Sequence, residues 1–146
     1  MTTAAAAPPA IPATHRDLFE RPVCAVLTTI GPDGGPRSSL VWVDQEAGDA
    51  RFNTSLERQK GRDLLANPRC SLLVVDPENT GRFIQIRGDA ELVTDGAIEH
   101  LDALTRRYTR HPRFYGFVYP TTRQAHETRV IGRIHARRIT LDAIHA

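Results

Sequence analysis

The sequence predicts a mainly β protein, a small antiparallel barrel of six short strands with two or three helices set between them. Three observations carry that expectation. Runs rich in β-branched residues place apolar positions at a period close to two and stop at turn residues. Stretches of helical period are few and do not alternate with the strands, which disfavours a doubly wound parallel sheet. The 146 residues suffice for one domain with a core and are too few for two ordinary ones, and closing short strands into a barrel removes the edges that an open sheet would expose.

The chain begins Met-Thr-Thr-Ala-Ala-Ala-Ala-Pro-Pro-Ala-Ile-Pro, with no positive side chain and no apolar stretch of signal-peptide length, so residues 1–14 read as a flexible tail and 15–146 as the domain. A helical turn is expected over 15–20. A first strand over 23–30 ends at Gly31-Pro32-Asp33-Gly34, a strong turn signal. A second strand over 38–43 and a third over 50–54, joined by a turn over 45–49, complete an antiparallel meander. A helix over 55–66 then interrupts the sheet, with Thr54 and Glu57 spaced as a capping box and Asn67-Pro68 ending it. Strand resumes over 69–75, turns over 76–81, and runs over 82–93 through Gly88, where a bulge or bend is expected. The strongest helical pattern covers 95–110, with Ile98, Leu101, Leu104 and Tyr108 on one core-facing stripe. Residues 111–122 are rich in Pro and aromatics and show no period, and 128–136 close the domain as the last strand.

Composition excludes several function classes. A formal charge of +2, spread along the chain, and few aromatics argue against a nucleic-acid partner. No apolar run reaches transmembrane length, so a soluble, cytoplasmic protein with no membrane partner is expected. Cys24 and Cys70 both lie in apolar runs and read as small buried hydrophobes, outside any CxxC or Cys/His cluster. The six histidines show no metal-ligand spacing, so no metal is expected. Neither a GxSxG elbow, HExxH, Walker A nor a dinucleotide GxGxxG occurs.

The residues that stand out lie where a strand runs into a helix. Lys60 is the only lysine, against eighteen arginines, and Arg58, Lys60 and Arg62 crowd cationic side chains into the first turns of a helix, where they oppose its dipole. A bound anion relieves that conflict, and the fork of Arg58 with the point charge of Lys60 suits a phosphate ester. Asn53, Thr54 and Ser55 add short polar groups beside them, and Ser38 and Ser39 open an otherwise apolar strand that continues through Leu40, Val41 and Trp42. A ligand with a phosphate at one end and a planar polar ring at the other would use all of them. Each also fits a plainer role: Lys60 on a solvated helix, Thr54 as a cap, and Ser38 and Ser39 on the outer face of a strand.

Taken in order through the stretches Val23 to Trp42, Phe52 to Arg69 and Ser71 to Pro77, the chain resembles the pyridoxamine-phosphate-oxidase-like split β-barrel family. The stretch Arg82 to Leu92, the helix over 98–108 and the stretch Glu127 to Ile134 resemble its branch that uses the deazaflavin coenzyme F420. The resemblance spans about residues 16–140. It implies an FMN-binding type of split barrel, a homodimer with two cofactor sites at the subunit interface, and an oxidoreductase that passes a hydride between the reduced deazaflavin and a small conjugated organic substrate. It implies that Ser38, Ser39, Leu40, Val41 and Trp42 line the ring, and that Asn53, Thr54, Ser55, Arg58 and Lys60 hold the phosphate. Pyridoxamine oxidases of the family typically carry Ser-Arg-Lys at 58–60 and an arginine at 38, so the resemblance points away from that activity. An FMN enzyme of the same fold and a non-catalytic flavin or tetrapyrrole carrier are the alternatives. The cofactor would bring the hydride chemistry, so no indispensable protein acid or base is expected. Arg106, Arg107, Arg110, Arg113, Arg137 and Arg138 read as solvated faces, or as steering the coenzyme's anionic tail, and residues 111–123 as shaping the substrate pocket or packing across the dimer.

Overall fold

Residues 7–143 of the chain are described by a computed structural model. A 3-10 turn over Ala13–Phe19 leads into strands β1 (Ala25–Ile30), β2 (Pro36–Val41), β3 (Val43–Glu46) and β4 (Asp49–Ser55). Helix α1 (Gln59–Ala66) precedes β5 (Arg69–Val75) and β6 (Phe83–Val93), and helix α2 (Ala97–Thr109) and a second 3-10 turn (Thr121–His126) precede β7 (Arg129–Leu141). The strands form one seven-stranded sheet in the order β2-β1-β5-β6-β7-β4-β3, and every neighbouring pair is antiparallel.

Seven strands stand where six were expected because the strand predicted over 38–43 breaks at Trp42. Its first part pairs with β1 and its second with β4, so the expected meander does not form. One residue separates β2 from β3, yet they occupy opposite edges of the strand order. The sheet must therefore curl until its edges meet, which is how a barrel is made from a twisted antiparallel sheet. A side chain secures the junction: the Tyr108 hydroxyl of α2 accepts from the Val43 N–H (3.0 Å) and donates to the Val23 carbonyl (2.7 Å).

Inside the barrel, alternation does the sorting. Ala25, Leu27 and Thr29 of β1 point inward while Val26, Thr28 and Ile30 are half-buried, and Leu27, Phe52, Leu72, Ile84, Ile86 and Ile134 are fully enclosed in one core. The bulge expected at Gly88 is present as a register shift between Arg87 and Gly88. A side chain there would have nowhere to go, since a Cβ would fall 2.1 Å from the His135 carbonyl oxygen.

Three boundaries differ from expectation. Part of the predicted tail, residues 1–6, lies outside the described residues, but Ile11 is buried in the core and its N–H donates to Gly48 O at 2.9 Å, so the chain joins the fold before residue 14. β7 runs on to Leu141, because β6 pairs with it along that length. The predicted helix over 55–66 starts later, at Gln59, because β4 extends to Ser55. No capping box forms. Thr54 faces inward from β4, and the Glu57 carboxylate accepts instead from the Thr128 N–H (2.8 Å), tying the entry of α1 to the entry of β7. Gly61 lets the first turn of α1 lie directly on the end of β4, where a Cβ would meet Ser55 O at 2.0 Å.

Replacing Tyr108 by Phe tests the junction at Trp42. Losing the hydroxyl strands a buried N–H and carbonyl, so unfolding free energy should fall by about 1–3 kcal/mol, read as a lower urea midpoint at unchanged slope. An unaltered midpoint would show that the hydroxyl does not hold the junction.

Candidate functional site

Curling of the sheet sets the end of β2 beside the end of β4, and a cleft opens between them. Leu40, Val41 and Trp42 form one wall, and Asn53, Thr54, Arg58, Lys60 and Arg129 the other. Leu101 and Leu104 of α2, with Phe114, contribute the apolar floor. Of the remaining predicted residues, Ser38 and Ser39 line an adjoining cavity that shares Lys60 with the cleft. Ser55 enters neither cavity; its hydroxyl donates to a Glu127 carboxylate oxygen (3.2 Å). The cleft holds about 180 Å³, less than the ~300–1,000 Å³ that encloses a typical organic ligand, and Leu40 at its rim is 70% exposed.

The polar wall is a cation cluster with one acidic partner. Glu127 accepts from Arg58 Nε (3.0 Å) and from the Tyr115 hydroxyl (2.7 Å), and lies 3.5 Å from Arg129 Nη1. Burial pushes the Glu127 carboxyl up, but the bonds from Tyr115 and Arg58 and the nearby arginine charges outweigh it and hold it below its ordinary value. Lys60 has no such partner among the described residues. Burial, then the charges of Arg58 and Arg129, pull its ammonium below its ordinary value. The corrected start of α1 places Lys60 in the first turn, where the first intrahelical bond is Arg62 N–H to Arg58 O (3.0 Å), leaving the N–H groups of 59–61 unused within the helix. No acidic side chain occupies that first turn.

Among the described residues two buried side-chain atoms make no hydrogen bond, Thr54 Oγ1 and Arg129 Nη1, the latter only in longer-range ion contact with Glu127 (3.5 Å), and both residues line the cleft. Unpaired polar atoms at such burial are costly and rare. A hydroxyl and a guanidinium N–H beside Arg58, Lys60 and free helix N–H groups form a set that an anionic oxygen cluster would satisfy.

Across the cleft the surface is aromatic. Trp42 stacks on Tyr108 (5.4 Å between centroids, 15° between planes) and meets Phe114 edge-on (6.4 Å, 82°). The Arg129 guanidinium carbon lies 5.3 Å from the Phe114 ring centre. A flat, partly polar ring system fits such a wall.

Sequence reasoning did not single out Arg129, Phe114 or Cys24 as site residues. Arg129 is 7% exposed on a strand whose last two arginines, Arg137 and Arg138, are exposed; its signal was the adjacency to Glu127, an acid–base pair at the entry of an apolar strand. Phe114 sits in the aperiodic segment after α2, which folds against Leu101 and Trp42 and forms a second small core. Cys24 is exposed and lines the cleft, correcting its reading as buried, because β1 begins one residue later at Ala25. Cys70 is buried, as expected, and burial pushes its thiol up to about 12. Among the described residues no group of three His, Cys, Asp or Glu could hold a metal ion, and no helix is long and apolar enough to cross a membrane.

A family profile described as pyridoxamine 5'-phosphate oxidase matches residues 11–141. The chain belongs to the pyridoxamine 5'-phosphate oxidase family. Among solved structures, an F420 reductase superposes with a TM-score of 0.73 at 30% identity, covering 89% of this chain and 98% of that one. A conserved hypothetical protein from Mycobacterium tuberculosis superposes at 0.69 with 28% identity, covering 97% of this chain and 89% of its own. A pyridoxine/pyridoxamine 5'-phosphate oxidase from Cupriavidus metallidurans is 40% identical over 77 residues, 51% of this chain. A chloroplastic heme oxygenase from Arabidopsis thaliana is 38% identical over 85 residues, 55% of this chain. The matched parts amount to 35% and 26%, respectively, of these two curated relatives' own lengths. The mainly β, curled antiparallel sheet is the fold these family members share, and the members named include oxidoreductases.

The unpartnered hydroxyl of Thr54 supplies a direct check on the site. Thr54→Val keeps the shape and removes a buried atom with no partner, so the ligand-free protein should gain up to about 1 kcal/mol of stability while its affinity for a phosphate-bearing ligand falls. A destabilised variant with unchanged affinity would show that the hydroxyl serves the fold.

Proposed function

We propose that this chain is a cytoplasmic, F420-dependent oxidoreductase that transfers a hydride between the reduced deazaflavin and a small conjugated organic substrate. The observation that carries the reading is the cleft's polar wall. Buried Thr54 Oγ1 and Arg129 Nη1 make no hydrogen bond beside the cationic Arg58 and Lys60, opposite the aromatic surface of Trp42. The 30% identity with an F420 reductase over 98% of its length favours the deazaflavin over other cofactors used within the family.

The donor set fits a phosphate ester joined to a flat ring. Lys60, Arg58, Arg129, Thr54 and the first-turn N–H groups of α1 would hold the phosphate. The strand through Ser38, Ser39, Leu40, Val41 and Trp42 would take the ring, and Asn53 would keep Arg129 in place through the bond from its Nε (3.0 Å). The bound deazaflavin supplies hydride transfer. What the chain contributes is charge neutralisation at the phosphate, orientation of the ring by an apolar wall and exclusion of water by Leu101, Leu104 and Phe114. The reading assigns no protein acid or base to the reaction.

A second reading, FMN in the same cleft, is favoured by the family's pyridoxine/pyridoxamine oxidase relatives. On either reading the working form is a homodimer. Support comes from a cleft of about 180 Å³, too small to enclose a ring cofactor alone, with the apolar Leu40 exposed at its rim; a second copy supplies the missing wall.

Fluorescence titration of the purified chain with F420, FMN and heme, side by side, tests the reading, with sedimentation of the best-bound complex. F420 should bind tightest, to a dimer, and Lys60→Ala and Arg58→Ala should each cost about 1.5–3 kcal/mol of affinity. Tighter FMN binding selects the second reading, tighter heme binding rejects both, a monomeric complex removes the proposed second wall, and unaffected variants remove the phosphate assignment.

A further inference from the structure

A second cavity is lined by Asp44, Arg51, His100 and Arg133, among others. His100 is 6% exposed on α2, and the proposed function gives it no role. It stands in an unbroken polar chain. Arg51 donates to both Asp44 carboxylate oxygens (3.0 and 2.8 Å). Asp44 Oδ2 lies 3.1 Å from His100 Nε2, His100 Nδ1 lies 3.2 Å from Asn53 Nδ2, and Asn53 Oδ1 accepts from Arg129 Nε at 3.0 Å.

The direction of every link follows from donor and acceptor chemistry. An ionised Asp44 only accepts, so His100 Nε2 carries a hydrogen. In the neutral imidazole Nδ1 is then the acceptor and takes a hydrogen from Asn53 Nδ2, whose other hydrogen goes to Ala97 O (2.8 Å). That arrangement fixes the amide, and the fixed amide turns its oxygen to Arg129. Burial pushes the Asp44 carboxyl up, but the bonds from His100 and Arg51 outweigh it and hold it below the usual carboxylate range, so the accepting end of the chain stays ionised near neutral pH.

We infer that His100 is the positioning residue for Arg129: through the Asn53 amide, it sets the orientation in which the guanidinium presents Nη1, which makes no hydrogen bond, to an anion in the cleft. Adding a proton to the imidazole puts Nδ1–H against the Asn53 NH₂, two donors face to face. The link between ring and amide is then lost, which loosens the amide whose oxygen holds Arg129. Anion affinity in the cleft is thereby linked to the proton on a histidine outside it. The charged groups facing that imidazole or lining its cavity are Asp44 and Glu46 of β3, Arg51 of β4, Asp95 and Glu99 before and within α2, and Arg133 of β7, with Arg129 beyond the amide. The assignment of Arg129 to an anion rests on the proposed function; its coupling to His100 does not.

The test reads both halves separately. In ¹⁵N-labelled, ligand-free protein the Arg129 Nε–H resonance reports its bond to Asn53, and titration with inorganic phosphate reports the cleft. His100→Leu should speed solvent exchange of that Nε–H and weaken phosphate binding, each on the order of tenfold, the size expected for one lost hydrogen bond to a charged group. His100→Asn, which keeps an acceptor near the Nδ1 position, should behave as wild type at neutral pH. Acidification should release the Nε–H in wild type and not in His100→Asn. In an Arg129→Met background His100→Leu should cost no further phosphate affinity. Unchanged Nε–H exchange in His100→Leu, equal loss in both backgrounds, or the same acid response in wild type and His100→Asn would overturn the inference. Should His100→Leu not fold, the acid comparison of wild type with His100→Asn decides. A chain that binds phosphate but none of the ring cofactors would refute the proposed function and leave these readings standing.

Discussion

Val41 and Val43 are two positions apart in the chain and lie on opposite edges of a seven-stranded sheet. That single-residue crossing obliges the sheet to close on itself. Closure is what sets the hydrophobic strand end Leu40-Val41-Trp42 against the polar end of β4, and the cleft is the gap left between them. Helix α2 then has two tasks on one element. Its Tyr108 hydroxyl satisfies backbone groups at the crossing, and its Leu101 and Leu104 floor the cleft. The fold's stability and the cleft's shape thus rest on the same few contacts.

The cleft's electrostatics run against stability. Arg58, Lys60 and Arg129 converge, with Glu127 as the carboxylate shared by the two arginines, and among the described residues two buried side-chain atoms, Thr54 Oγ1 and Arg129 Nη1, make no hydrogen bond. A core optimised for folding alone would fill such a place with apolar side chains. Local frustration of this kind marks sites shaped for a ligand. The chain of bonds from Arg51 through Asp44, His100 and Asn53 ends on Arg129 Nε in that frustrated setting.

Much of this was legible in the sequence, where local rules decide the outcome. The strand over 69–75 and the bulge at Gly88 follow from alternation and a glycine in a strand. Helix α2 follows from the spacing of Ile98, Leu101, Leu104 and Tyr108. The break at Trp42 was not legible, because a run over 38–43 with no Gly or Pro to interrupt it gives no local sign that its halves will pair with different partners. Nor was the true start of α1: Thr54 and Glu57 have capping-box spacing, but inward burial claims Thr54 and the Thr128 N–H claims Glu57. Lys60 and Arg58 stood out by composition and position. Arg129 did not, since its burial depends on α2 and Phe114 folding over β7, a tertiary event with no signature in the strand itself.

The central claim is that the orphaned atoms of the cleft are completed by the anionic end of a ring cofactor. A crystal structure of the chain with F420 or FMN bound measures this directly. The account predicts phosphate oxygens within about 3 Å of Thr54 Oγ1 and Arg129 Nη1, with Lys60 and Arg58 around the same group and the ring against the strand at Leu40 to Trp42. A cofactor bound elsewhere, or one that leaves Thr54 and Arg129 as they are, would contradict it.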